Sequence, residues 1–347
     1  MTKKTAVFLL AAVLVLLLAQ GGCRPAVETG EPDPFPGQQP QPGDTSIEPP
    51  KADPAAVKVD ETGKVMILMY HVIGAEKEAP WKQTAANFRR DLLTLYNEGY
   101  SLCSLGDFVA NDIRVAAGRT PVIITFDDAS AGQFRYLTGE NGKKEIDPEC
   151  AVGIMLDFAE KHPDFGCTAT FYINENPFDQ KECWKEKLQE LVELGFDIGN
   201  HTLTHPKLNQ LSDESVQKEL AGLARLVEQA VPGYQVDSLA LPHGISPQNA
   251  LLAVQGEYMG YRYHHRAVLK VGANPAVSPA TRGFDPLRLP RVQASTVELE
   301  KWLNYFRKNP AERYVSDGDP STITIPRGKE GLVDKERIKG KELVVYP

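Results

Sequence analysis

From Lys64 onward, short runs of consecutive apolar residues alternate with longer stretches in which apolar residues recur every three or four positions. The first pattern suits strands buried on both faces, and the second suits helices that cover them. Strands are predicted over residues 65–70, 122–126, 169–173, 196–199, 238–241 and 267–271, and helices over 85–98, 148–161, 181–194 and 212–230. Thr84 precedes the first helix, and Asp213 and Glu214 open the last, where a carboxylate meets the positive end of the helix dipole. The alternation covers about 250 residues, a length that predicts an α/β fold built as a distorted (β/α) barrel with its chemistry at the polar ends of the strands. Residues 58–310 are read as this barrel. In the remaining extension, 311–347, two short β-like runs at 322–325 and 343–346 predict a hairpin or edge strands.

The beginning of the chain is different. Lys3 and Lys4 precede an unbroken apolar run over residues 6–19, which ends in Gln20-Gly21-Gly22-Cys23. That run is shorter than the ~20 residues of a membrane span and reads as an export signal. Small residues before a cysteine resemble the lipobox of bacterial lipoproteins, in which Cys23 would be acylated and become the new N-terminus after removal of residues 1–22. Residues 24–57 are rich in Pro, Gly, Gln, Glu and Asp and cannot bury enough surface to offset the entropy of ordering, so they read as a disordered tether. The expected location is extracytoplasmic, lipid-anchored to the bacterial membrane, or secreted if Cys23 is not acylated.

The composition, with 24% charged and 42% hydrophobic residues over 347, is that of a folded domain with a tail. A formal net charge of −8 excludes nucleic-acid binding by bulk attraction. It sets no barrier against a neutral polymer. Beyond Cys23, the cysteines Cys103, Cys150, Cys167 and Cys183 lack metal-ligand spacing and fix no disulfide pairing. A monomer is expected.

Two segments carry chemistry. In Val122-Ile123-Ile124-Thr125-Phe126-Asp127-Asp128 a hydrophobic strand ends in adjacent carboxylates. Neighbours on an extended strand point to opposite sides, so one acid can hold a metal while the other handles a proton. In Gly199-Asn200-His201-Thr202-Leu203-Thr204-His205-Pro206 two imidazoles stand four residues apart, and Pro206 disfavours helix at His205, which places the pair on a loop. Two His and one carboxylate suit zinc or a neighbouring first-row metal and leave coordination positions open.

Together the Thr-Phe-Asp-Asp strand end and the Gly-Asn-His-Thr-x-Thr-His segment resemble the NodB-like polysaccharide deacetylases, carbohydrate esterase family 4. The resemblance covers about residues 65–292. It implies a metal-dependent hydrolase that removes N-acetyl groups from a polysaccharide, with Asp128, His201 and His205 as ligands of one divalent metal (zinc, with cobalt or nickel as alternatives) and Asp127 as catalytic base. Leu239-Ala240-Leu241-Pro242-His243-Gly244 looks like the family's F-R-P-P-Y-G motif, with Ala240 in place of an Arg that orients the base and His243 in place of Tyr.

The small residue at 240, with Leu68-Met69-Tyr70-His71 and Arg288-Leu289-Pro290-Arg291, is similar to the branch acting on poly-N-acetylglucosamine. There the barrel strands are circularly rearranged, which makes His71 the candidate general acid, Arg291 the group that orients Asp127, and Arg288 a substrate-binding residue. The backbone N–H of His243 would stabilise the oxyanion. The implied partners are an N-acetylated glycan and, through Cys23, the membrane. The same residues allow a non-catalytic glycan-binding lipoprotein, or a deacetylase of peptidoglycan, xylan or a non-sugar amide.

Overall fold

In the computed structural model, which describes residues 53–140 and 142–347, these belong to one compact unit. The expected signal segment, Cys23 and nearly all of the tether lie outside the described residues. Among the described residues, no helix is long and apolar enough to cross a membrane.

Eight strands form one parallel sheet: β1 Met66–Tyr70, β2 Tyr100–Leu102, β3 Thr120–Phe126, β4 Thr170–Ile173, β5 Asp197–Asn200, β6 Ser238–Ala240, β7 Ala267–Leu269 and β8 Val292–Gln293. They are ordered β7-β6-β5-β4-β3-β1-β8, and β2 pairs with the first half of β3. The sheet curls and closes on itself. The Leu289 amide donates to the Val268 carbonyl at 3.0 Å and the Lys270 amide to the Leu289 carbonyl at 2.9 Å, while Val292 and Gln293 pair with Leu68 and Met69. Residues 289–293 thus link β7 to β1 and complete the (β/α) barrel.

Helices α1 Ala85–Asn97, α2 Ala151–Lys161, α3 Trp184–Glu193, α4 Asp213–Ala230 and α5 Thr296–Lys308 lie among these strands in chain order. Their starts follow from capping. Thr84 accepts the Asn87 amide, Ser212 the Ser215 amide and Ser295 the Glu298 amide, each oxygen satisfying a donor that the helix itself leaves free. Every residue of β1 and β3 is buried, as expected of strands covered on both faces. Met66, Leu68 and Tyr70 pack with the helices, whereas Val65, Ile67 and Ile123 pack with Tyr172, Leu269 and Leu289.

The predicted strands and helices are present to within a few residues. One expectation is corrected: β9 Thr322–Pro326 and β10 Glu342–Tyr346 pair in parallel, with Thr322 against Glu342, rather than as a hairpin. The reason is the connection over residues 327–341, which is far longer than a hairpin turn and long enough for a crossover. Cys103, Cys150, Cys167 and Cys183 are free thiols.

Candidate active site

β1 and β3 pair with Tyr70 opposite Phe126, so His71 and Asp127 leave the sheet side by side, and the Asp127 amide donates to the Tyr70 carbonyl at 2.9 Å. Strand alternation then sets the direction. Ile123 faces the inner cluster, so Thr125 and Asp127, two and four residues on, follow it inward. Asp127 is 1% exposed.

Arg291 meets it there from the segment that closes the barrel. Its Nη1 and Nη2 donate to Asp127 Oδ1 and Oδ2, each at 2.7 Å, in the two-pronged geometry a guanidinium makes with a carboxylate. Nη1 also reaches Thr125 Oγ1 at 3.2 Å, Nε donates to the Lys270 carbonyl at 3.0 Å, and the guanidinium lies over the Tyr172 ring. Gly199 makes that ring's position possible, since a Cβ there would stand 2.3 Å from Tyr172 Cε1. Burial opposes a charge on Asp127, but Arg291, then His201 and His71, outweigh it and hold the carboxyl well below the usual carboxylate range.

Asp128 does not obey strand alternation. Its φ of 72° and that of Ala129, 45°, turn the chain sharply, so the two carboxylates approach the same imidazole instead of opposite faces. From His201 Nε2, Asp128 Oδ1 is 3.4 Å away and Asp127 Oδ2 4.0 Å. His205 Nε2 lies 3.5 Å from the same Asp128 Oδ1. The loop geometry that brings His205 back is built by its neighbours. Asn200 Oδ1 accepts the Thr202 amide at 2.9 Å, and Thr202 Oγ1 accepts the His205 amide at 3.1 Å.

Asp128, His201 and His205 offer three ligand atoms within 4.8 Å of one another. Donors of a tetrahedral site with bonds of roughly 2.0–2.2 Å stand about 3.3–3.6 Å apart, so the 3.4 and 3.5 Å separations fit a divalent first-row ion. The buried His201 also places its Nδ1 2.8 Å from the Ala240 carbonyl. That oxygen can only accept, so Nδ1 carries a hydrogen and the neutral imidazole turns the Nε2 lone pair toward Asp128 and His205. The donor set therefore fits a metal in both chemistry and tautomer.

His71 completes the inner group, with Nε2 4.0 Å from Asp127 Oδ2 and the ring centroid 4.7 Å from that of Trp81. Burial lowers its pKa, and the neighbouring Asp127 and Asp128 only partly restore it. His243, exposed and in left-handed backbone at φ 55°, packs its ring against His205 at 4.5 Å. Arg288 is not brought into the group. It is exposed on a short turn, and no hydrogen bond or ion pair ties it to these residues. His265 is buried, with Nδ1 2.8 Å from the Ala253 carbonyl and Nε2 3.3 Å from Asn200 Nδ2, so it braces the strand end that carries His201.

Sequence reasoning missed Gln133 and Trp81. Gln133 is fully buried, and its amide donates to the backbone carbonyls of both His71 and Asp127, at 2.8 and 2.6 Å. A polar residue in the turn after the Asp-Asp pair was the available signal. A cavity of about 950 Å³ lies at the other end of the barrel, between α4 and the hairpin of Gln255–Tyr258 and Tyr261–His264, and contains none of these groups.

Fold and site define a parallel (β/α) barrel with a carboxylate–imidazole cluster at the C-terminal ends of its strands. Comparison with known proteins narrows this class. Residues 114–264 match the family model described as polysaccharide deacetylase. The chain is 27% identical over 126 residues to a chitooligosaccharide deacetylase of Bradyrhizobium sp. (strain ANU 289), covering 36% of this chain and 53% of the relative. It is 30% identical over 129 residues to that of Rhizobium leguminosarum bv. phaseoli, covering 37% and 52%. It thus spans about half the length of the curated relatives it matches. Among solved structures, the Streptococcus pyogenes deacetylase PplD in complex with acetate superposes with a TM-score of 0.52 at 20% identity, over 70% of this chain and 97% of the other. The similarity to the polysaccharide deacetylase family is carried by residues 114–264.

Proposed function

We propose that this protein is a metal-dependent deacetylase that hydrolyses the acetamide of N-acetylated sugar residues in a cell-surface or cell-wall polysaccharide, releasing acetate. The observation that carries this reading is the convergence, at one barrel end, of an ionised, Arg291-held Asp127, a three-donor Asp128-His201-His205 set and the imidazole of His71. Asp128, His201 and His205 would hold a divalent cation, which would supply Lewis acidity toward the amide carbonyl and the attacking water.

The rest is the work of side chains. Asp127, fixed by Arg291, accepts a proton from the water as its oxygen bonds to the carbonyl carbon. His71, with its Nε2 4.0 Å from Asp127 Oδ2, donates a proton to the nitrogen as the carbon–nitrogen bond breaks, so that acetate and a sugar amine leave. The burial that lowers the His71 pKa makes its protonated form a stronger acid toward a departing amine. The backbone at His243, in the turn after β6, is the candidate donor to the oxyanion. A small residue at position 240 favours the poly-N-acetylglucosamine type of substrate, and the net charge of −8 favours a neutral glycan over an anionic one.

The test is acetate release from a panel of N-acetylated glycans with Zn²⁺, Co²⁺, Ni²⁺ or chelator. Metal-dependent release from at least one glycan is expected. Glycan binding without acetate under every condition would replace the enzyme with a binding module. The proposed location is the outer face of the membrane, with Cys23 as the acylated residue. Cys23→Ala should move the protein from the membrane fraction to the soluble one.

A further inference from the structure

The strand pair Val72–Ile73 and Lys82–Gln83 follows β1 at the barrel end that carries His71 and Asp127. Ala79 and Lys82 exchange backbone hydrogen bonds at 3.1 and 2.9 Å, which makes residues 79–82 a four-residue turn with Pro80 second and Trp81 third. Trp81 has φ 65°. A proline followed by a residue at positive φ is the pattern of a type II turn, whose third position ordinarily belongs to Gly because a side chain there costs backbone strain.

Trp81 is 42% exposed, so the site gives up turn preference and part of the residue's hydrophobic burial to keep aromatic surface in water. The backbone on either side of the indole is held. The Trp81 carbonyl accepts the Val72 amide at 3.1 Å, and the adjoining Gln83 is buried with its side chain donating to the Ala294 carbonyl at 2.7 Å. Among the described residues its ring partner is His71, at 4.7 Å between centroids and 55° between planes. Strain retained at a rim position beside a reactive group is the pattern of a ligand contact.

We propose that Trp81 is the platform for the sugar whose acetamide is cleaved: its indole face receives the C–H face of the pyranose ring and so brings the amide nitrogen to His71. The chemistry is complementary, since polarised sugar C–H groups meet the negative face of the indole and the sugar hydroxyls remain in water. This rests on the deacetylase reading for the identity of the reacting sugar, but the contact itself is a binding claim.

Trp81→Gly separates platform from scaffold, because Gly suits the turn better than Trp does. The variant should melt at or above the wild-type temperature, yet bind an N-acetylglucosamine oligosaccharide about tenfold more weakly in full-length, chelator-treated protein, with KM for the glycan raised to match and kcat changed less. Trp81→Phe should recover most of the affinity. Undiminished oligosaccharide binding by Trp81→Gly, with acetate release by the wild type intact, would overturn the platform and leave the deacetylase standing. Weakened binding by the variant, with no acetate released by the wild type from any glycan, would support the platform and reject the deacetylase. A wild type that does not bind the oligosaccharide rejects the platform too.

Discussion

Arg291 and Asp127 are 164 residues apart in the chain and fully buried against each other, joined by two parallel hydrogen bonds of 2.7 Å. Asp127 sits at the end of β3, and Arg291 in the segment that closes the barrel between β7 and β1. Barrel closure and orientation of the candidate base are therefore one event. Ala240, where the family motif has an arginine, leaves no vacancy, because the guanidinium arrives from the other side of the closure.

Arg291→Lys should keep the charge but lose the fork and the bond to the Lys270 carbonyl. Acetate release should fall about 10²-fold while the protein remains folded. Arg291→Met strands a buried carboxylate and should cost about 3–5 kcal/mol in urea unfolding. Adding Asp127→Asn to Arg291→Met should recover much of that loss, since the orphaned charge is gone. If the double variant is no more stable than Arg291→Met, the cost lies in packing rather than in the uncompensated charge.

Asp128, His201 and His205 should bind one divalent ion per chain, readable by calorimetric titration of chelator-treated protein with Zn²⁺ or by the visible spectrum with Co²⁺. Asp128→Ala and His201→Ala should each abolish stoichiometric binding. Asp127→Asn should retain it, because Asp127 is held by Arg291 and stands outside the three-donor set. Loss of the ion in Asp127→Asn would make Asp127 a ligand instead of the base.

The proton-handling roles are separable by rate. Asp127→Asn should abolish acetate release with metal still bound, and His71→Ala should lower the rate by about 10²–10⁴. Wild-type rates in His71→Ala would remove it as the acid, and its place would pass to another group at the barrel mouth.

Much of this was legible in the chain. The Val122–Phe126 run and the adjacent acids mark a buried strand with candidate chemistry at its end, and the spacing of His201 and His205 marks a candidate ligand pair. The loop placement of the histidines held because Pro206 excludes a helix there. Strand alternation failed at Asp128, where left-handed backbone, unsignalled by any glycine, swings the second carboxylate to the same side as the first. Strands of two or three residues such as Val292–Gln293 carry no periodicity to read, so the closure that delivers Arg291 could be suspected only from the family branch. Helix α5 was readable from Ser295 and the spacing of Leu299, Leu303 and Phe306, and was overlooked. The place of Trp81 depends on what stands opposite it, which local sequence does not encode.

The last prediction concerns stability and lies away from the candidate site. Glu61 is buried beneath the C-terminal strands, where Tyr314 donates to its Oε1 at 2.9 Å and the Thr324 amide to its Oε2 at 2.8 Å. Burial, with the nearby Asp317, outweighs those bonds and pushes the carboxyl up from 4.5 to about 8. A carboxyl raised on folding is ionised in the unfolded chain before it is ionised in the native one. Its contribution to stability is thus fully present below pH about 4.5 and is lost as pH rises through about 8. Asp91, raised to about 7, and Asp197, raised to about 6, act in the same sense, so the wild type alone does not isolate Glu61. Glu61→Gln does, because the amide fills the same space with no charge to ionise. Urea midpoints measured from pH 5 to 9 should decline with pH more steeply for the wild type than for Glu61→Gln, and the variant should gain on the wild type as pH rises. Parallel curves would mean that Glu61 titrates alike in the folded and unfolded chains.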